Sequence, residues 1–158
     1  AAQFLAEAAF FDGKYAQAFP FYGVERTGAP IQAFCRISDK RIRLHEHVYA
    51  PDYLIVLDDT LVEAADVFAG MKKGLAVIAS DKKIKAPKGV EVKTVDAYPV
   101  ARKIMGNTIV NTLMVAAFAK ATGLVSLDGL IDAVNKKFPK PVADKNIEAM
   151  REIFQAVK

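Results

Sequence analysis

Two short apolar runs, YLIVLDD at residues 53–59 and GLAVIAS at residues 74–80, constrain this chain more than anything else in it. A run of that length without polar alternation is too short for a helix. It is the pattern of a strand covered on both faces, as in parallel sheets, where the crossover connections lie over the strands. GVEVKTVD at residues 89–96 supplies a third strand of the same set. Helix-like segments alternate with and follow these strands: TLVEAADVFAGM, AYPVARKIMG, GNTIVNTLMVAAFAKATG, SLDGLIDAVNKKF and ADKNIEAMREIFQAVK. Strands alternating with helices predict a three-layer α/β/α domain with a mostly parallel sheet, one domain over residues 1–158. No internal repeat, low-complexity tract or interdomain linker interrupts it.

Ahead of these runs, AAQFLAEAAFFDG predicts an amphipathic helix with Phe4, Leu5, Ala8, Ala9 and Phe11 on its apolar side, stopped by Gly13. KYAQAF then reads as a strand with Tyr15, Gln17 and Phe19 on one face and Ala16 and Ala18 on the other. PIQAFCRIS is a second strand, with Ile31, Ala33, Cys35 and Ile37 alternating against Gln32, Phe34 and Arg36.

With 158 residues, 53% hydrophobic and 25% charged, the chain can bury a single core and is neither disordered nor fibrous. Its longest apolar run, near Leu113 to Ala119, falls far below the ~20 residues that cross a bilayer, so no membrane span is expected. The start of the chain has no basic stretch before its apolar part and so does not read as a secretory signal. One cysteine excludes an internal disulfide and fits a reducing, cytoplasmic setting. The +4 net charge is uneven, with seven lysines between Lys72 and Lys93. Such lysines protect exposed sheet edges, or attract an acidic protein or a phosphate-bearing ligand. They lack the interleaved aromatics and arginines of a nucleic-acid surface.

The usual catalytic constellations are missing. His45, Glu46 and His47 place two histidines two apart without a third ligand at metal-site spacing, so no metal is expected. Cys35, mid-strand among apolar neighbours, reads as an inert buried thiol. Asp58 and Asp59 stand where a helix would be capped. No phosphate-cradling glycine motif and no GxSxG is present, and no residue is assigned a catalytic role.

Three loops stand at carboxyl ends of predicted strands, where such sheets meet ligands and partners: Pro20 to Pro30, Asp58-Asp59-Thr60, and Asp96 to Gly106-Asn107-Thr108. In PFYGVERTGAP, two prolines and two glycines preset the loop that carries Tyr22, Glu25 and Arg26. The Arg26 guanidinium is a planar fork suited to carboxylate or phosphate, and Glu25 is placed to orient it. Asn107 or Thr108, at the expected start of the long helix, would add a cap and free N–H groups for an anion or polar ligand. The plainer alternative, which the residues by themselves favour, is that the Glu-Arg pair only staples the loop and Asn107 only caps.

The combination QAFPFYGVERTGAP, QAFCRISDKRIR, YAPDYLIVLDDTL and GNTIVNTLMVAAFAKATGLVSLDGL resembles the gamma subunit of 2-oxoacid:ferredoxin oxidoreductases, those acting on pyruvate in particular, over essentially the whole chain. The most specific part is Tyr22, Gly23, Glu25, Arg26, Gly28, Ala29 and Pro30, supported by Gly106-Asn107-Thr108. The resemblance implies a heteromeric complex that turns a 2-oxoacid and coenzyme A into an acyl-CoA and CO2 and passes electrons to ferredoxin. It implies thiamine diphosphate, Mg and iron-sulfur clusters on other subunits, none held by this chain alone, and an inactive isolated chain. On this basis the loop of Tyr22, Gly23, Glu25, Arg26, Thr27, Gly28, Ala29 and Pro30 is expected to contact the catalytic and iron-sulfur subunits. Arg26, Asn107 and Thr108 are candidate coenzyme A contacts. Family members open with a strand and a GRGGQG-type loop before the first helix of this chain, so an N-terminally incomplete module lacking its first strand is expected. Other 2-oxoacids (2-oxoglutarate, 2-oxoisovalerate, indolepyruvate) and a free-standing α/β binding or assembly domain remain open alternatives.

Overall fold

The computed structural model describes residues 1–21, 31–44 and 46–157. Helix α1, Ala2–Phe11, turns Phe4, Leu5, Ala8 and Ala9 inward and ends before Gly13, whose φ of 76° is left-handed. Phe11, expected on the buried side, is instead exposed at the rim, with the Lys136 ammonium 5.7 Å from its ring centre.

Strands β1, Tyr15–Phe21, and β2, Gln32–Ser38, pair antiparallel, with Ala18 opposite Cys35 and Phe19 opposite Phe34. The alternation read from the sequence sets their faces. Ala16, Cys35 and Ile37 pack against the main core, and Phe19, Phe34 and Arg36 occupy the other face. This hairpin forms its own two-stranded sheet.

The second sheet is parallel, in the order β3 (Tyr53–Val56), β4 (Gly74–Ala79), β5 (Val90–Val95). The two apolar runs and GVEVKTVD do form parallel strands, but only central β4 is covered nearly throughout. At the edge, β3 begins on Tyr53, which is exposed. Leu75, Val77 and Ala79 face a core shared with the helices; Ala76 and Ile78 face a smaller cluster with Val56, Met71 and Val90.

Helix α4 (Asn111–Thr122) lies on the first face, and α5 (Leu127–Lys137), α6 (Lys140–Ala156) and α1 pack into the same core around it. The eight consecutive residues Thr112 to Ala119 of α4 are all buried, which explains its lack of an amphipathic pattern. Thr112 donates to Asn146 at 2.7 Å, so these two buried polar side chains satisfy one another. Ser126 caps α5 by accepting from the Gly129 N–H at 2.9 Å. Asp12 accepts from both the N–H and the hydroxyl of Ser126, tying α1 to α5.

The opposite face carries less helix than the sequence suggested. TLVEAADVFAGM forms only the single turn α2, Leu61–Ala64, and Val67, Phe68 and Met71 reach the sheet from a loop. On the first face, against the main core and α6, AYPVARKIMG is a short α3, Tyr98–Val100, that widens into a π-helical turn over Ala101–Met105. Among the described residues no helix is long and apolar enough to cross a membrane.

Candidate functional site

The carboxyl ends of β3, β4 and β5 bring together Asp58, Asp59, Thr60, Ser80 and Tyr98. Parallel strands end side by side, so side chains distant in sequence meet there. Asp58 accepts from the backbone N–H of Thr60 at 3.0 Å and from its hydroxyl at 2.7 Å. The Ser80 hydroxyl donates to Asp59 at 2.6 Å and accepts from the Lys82 N–H at 3.0 Å. Tyr98 donates to the carbonyl of Leu57 at 2.8 Å. Burial raises the phenol pKa of Tyr98, and the charges of Asp58, Asp59 and Asp96 add to it while Arg102 opposes.

These contacts revise the expected role of the two acids. α2 has no side-chain cap; Asp58 organises the turn before it, and Asp59 reaches across to the next strand. The acids, Ser80 and Tyr98 are spent on holding loops together, and among the described residues no histidine stands beside them to activate a nucleophile. A cavity of ≈ 220 Å³ lies apart, between β5 and the end of α6, lined by Lys93, Thr94, Val95, Ala156 and Val157. Among the described residues no group of three or more His, Cys, Asp or Glu is placed to hold a metal ion.

Asn107 and Thr108 do not begin a helix. Gly106 adopts a left-handed φ of 72°, the Asn107 side chain accepts from the Ile109 N–H at 2.9 Å, and α4 starts only at Asn111. Asn107 thus closes a local turn, a competing use of its side chain that delays the helix. The free helical N–H groups expected beside it are not there, although both residues are exposed. Tyr22, Gly23, Glu25, Arg26, Thr27, Gly28, Ala29 and Pro30 lie outside the described residues, as does His45.

The structure adds a cluster that sequence reading did not assemble. On the outer face of the hairpin, the rings of Phe19 and Phe34 lie 5.7 Å apart, and His47 lies 5.7 Å from Phe34 and 6.1 Å from Tyr49. Arg36 stands 5.7 Å over Phe19 and donates to the carbonyls of Glu46 and His47 at 2.6 and 3.0 Å. Both faces were legible from alternation; the antiparallel register that superposes them was the missing signal. Cys35, on the inner face, has its thiol pushed up to about 11 by burial, in keeping with an inert thiol.

A family described as Pyruvate ferredoxin/flavodoxin oxidoreductase matches residues 1–156. The chain is similar to the pyruvate synthase subunit PorC of Methanothermobacter marburgensis, at 48% identity over all of this chain and 89% of that protein. It is 45% identical to the pyruvate/ketoisovalerate oxidoreductases common subunit gamma of Thermococcus litoralis, over 98% of this chain and 88% of the relative. The crystal structure of the pyruvate oxidoreductase subunit PORC from Thermotoga maritima superposes with a TM-score of 0.83 at 35% identity, covering 98% of this chain and 86% of that one.

Proposed function

Because the chain belongs to the pyruvate ferredoxin/flavodoxin oxidoreductase family, we propose that it is the gamma subunit of a multisubunit enzyme converting pyruvate, coenzyme A and oxidised ferredoxin to acetyl-CoA, CO2 and reduced ferredoxin. The observation that carries the subunit role is the distribution of exposed apolar side chains. Among the described residues, seven of the nine large exposed ones fall between residues 10 and 53: Phe10, Phe11, Tyr15, Ile31, Leu44, Tyr49 and Tyr53. Concentrated exposure of this kind, on α1, the hairpin, the segment that follows it and the start of β3, supports surface that a partner covers.

The redox chemistry belongs to those partners. An iron-sulfur cluster is held by several thiolates, whereas the sequence has Cys35 alone, and its thiol stays protonated at neutral pH. Thiamine diphosphate, Mg and the clusters are therefore assigned to the catalytic and iron-sulfur subunits, in a reducing cytoplasm, without a membrane or nucleic acid. Coenzyme A fits this chain better. The Asn107 carbonyl oxygen is engaged by Ile109 and its amide nitrogen remains available, next to exposed Thr108. We assign both residues, with Arg26, to contacts along the coenzyme A approach, and the loop from Tyr22 to Pro30 to subunit contact. A subunit shared between pyruvate and ketoisovalerate enzymes, as the name of the Thermococcus litoralis relative states, fits a chain that leaves substrate choice to others.

The test is anaerobic purification of the tagged chain from its own cells and assay of the eluate for coenzyme A-dependent viologen reduction with pyruvate and other 2-oxoacids. A brown eluate with larger subunits and pyruvate activity is expected, with Asn107→Ala raising the coenzyme A KM. A colourless, partnerless chain would overturn the reading and favour a free-standing domain.

A further inference from the structure

Strand β5 is the last strand of its sheet, and its bonds to β4 fix which main-chain groups point outward. The Gly74 N–H donates to the Gly89 carbonyl at 3.3 Å and the Ser80 N–H to the Val95 carbonyl at 3.1 Å. Main-chain groups alternate sides along a strand, so the odd-numbered residues from Gly89 to Val95 face β4, and Val90, Val92 and Thr94 face outward. The Val90 N–H turns back to the Pro87 carbonyl at 3.1 Å. Among the described residues no hydrogen bond reaches the outward groups of Val92 and Thr94, which leaves an edge open to another strand.

The side chains of β5 select that strand. Val95 belongs to the main core, so Glu91 and Lys93 stand on the helix side of the sheet, while Val90 and Val92 face the smaller core. An antiparallel copy of β5 centred on Val92 matches both the main chain and the charges. Val92 exchanges both hydrogen bonds with Val92 of the second copy, and Thr94 donates to the other copy's Val90 carbonyl. Glu91 then lies directly opposite Lys93 on either side of the axis. Sliding the copy to the next register that still pairs the outward groups sets Glu91 against Glu91, or Lys93 against Lys93, which is destabilising. The charged pair has room on the helix side, where a cavity of ≈ 220 Å³ opens beside Lys93, between β5 and the end of α6.

We infer that two copies of this chain pair through their β5 edges, antiparallel about a twofold axis at Val92, and join their three-stranded sheets into one. The edge lacks the usual defences against such pairing: VEVKTV contains no proline, and its lysine is matched by Glu91 instead of being left to repel a copy. Lys82, Lys83, Lys85 and Lys88 of the β4–β5 connection lie over the other face and repel their counterparts. Salt therefore strengthens the pairing by screening these exposed lysines more than the partly enclosed Glu91–Lys93 contacts. A six-residue edge is a small interface, of roughly micromolar affinity. The pairing does not depend on the reaction proposed above; in an assembled enzyme it would join two complexes.

The experiment uses the purified full chain. Its mass by sedimentation at moderate salt is expected to rise from 17.2 kDa toward twice that value as concentration increases through the micromolar range. Glu91→Lys and Lys93→Glu are each expected to weaken the dimer about 10-fold, and the two together to restore it. In a Cys35→Ala background, Val92→Cys is expected to form a disulfide-linked dimer on mild oxidation, since a hydrogen-bonded antiparallel pair sets its Cα atoms about 5.5 Å apart. Glu91→Cys, which lies opposite Lys93 and not its own counterpart, is expected to stay unlinked. A mass that remains 17.2 kDa up to about 100 µM overturns the inference. A dimer that the charge exchange fails to restore, or that Glu91→Cys links as readily as Val92→Cys, overturns it too, because either result places the contact elsewhere.

Discussion

Cys35 shows how one side chain carries both a structural and a chemical statement. Its thiol lies on the inner face of β2 and is pushed from 9.0 to about 11 by burial, because the thiolate would lose its water there. In the unfolded chain the same thiol ionises from about pH 9 upward. The folded state binds the proton more tightly, so this part of the stability is fully present below pH 9 and lost as pH rises through 11. Urea unfolding of the purified chain should show stability falling across that window, with less of a fall in Cys35→Ala; equal falls in the two proteins would contradict the assignment. Alternation in PIQAFCRIS was enough to place this residue. Asn107 was not legible in the same way, because its side chain can cap a helix or close a turn. The left-handed Gly106 before it and the Ile109 N–H after it decided for the turn.

At the scale of elements, β4 is the part of the fold that the sequence described best, since a strand buried on both faces leaves a continuous apolar run. Flanking β3 was read as equally buried, yet it stands at the sheet edge, a fact of strand order that no local pattern contains. TLVEAADVFAGM has helical periodicity but only Leu61–Ala64 is helical, because Val67, Phe68 and Met71 meet the sheet from an irregular path. The entry to β4 depends on Gly74, which has a φ of 134°. A Cβ there would stand 1.9 Å from the Asp52 carbonyl oxygen, the acceptor of the Leu75 N–H. Gly74→Ala therefore has to displace backbone that joins β3 to β4. It should cost more than about 1 kcal/mol and lower the Tm by roughly 3 °C or more. A Tm unchanged from the original would show that this approach is not tight.

For the whole molecule, the division of surfaces follows from the division of folds. The parallel sheet packs one face on the helices and the other on a smaller core beneath the lysine-bearing connection, whereas the antiparallel hairpin packs its inner face on the main core and turns aromatic side chains outward. The central claim is that the hairpin side is where partner subunits sit, and one measurement addresses it directly. Leu44 and Tyr49 are 56% and 73% exposed, so Leu44→Asp with Tyr49→Asp should leave the core intact. Val142→Asp, on α6 and 43% exposed, serves as the control. Each tagged chain would be purified anaerobically and the partner subunits quantified per chain. The account predicts at least a roughly tenfold loss of partners, colour and activity for the hairpin variant, and none for the control. Equal recovery of partners by the hairpin variant and the original chain would contradict it.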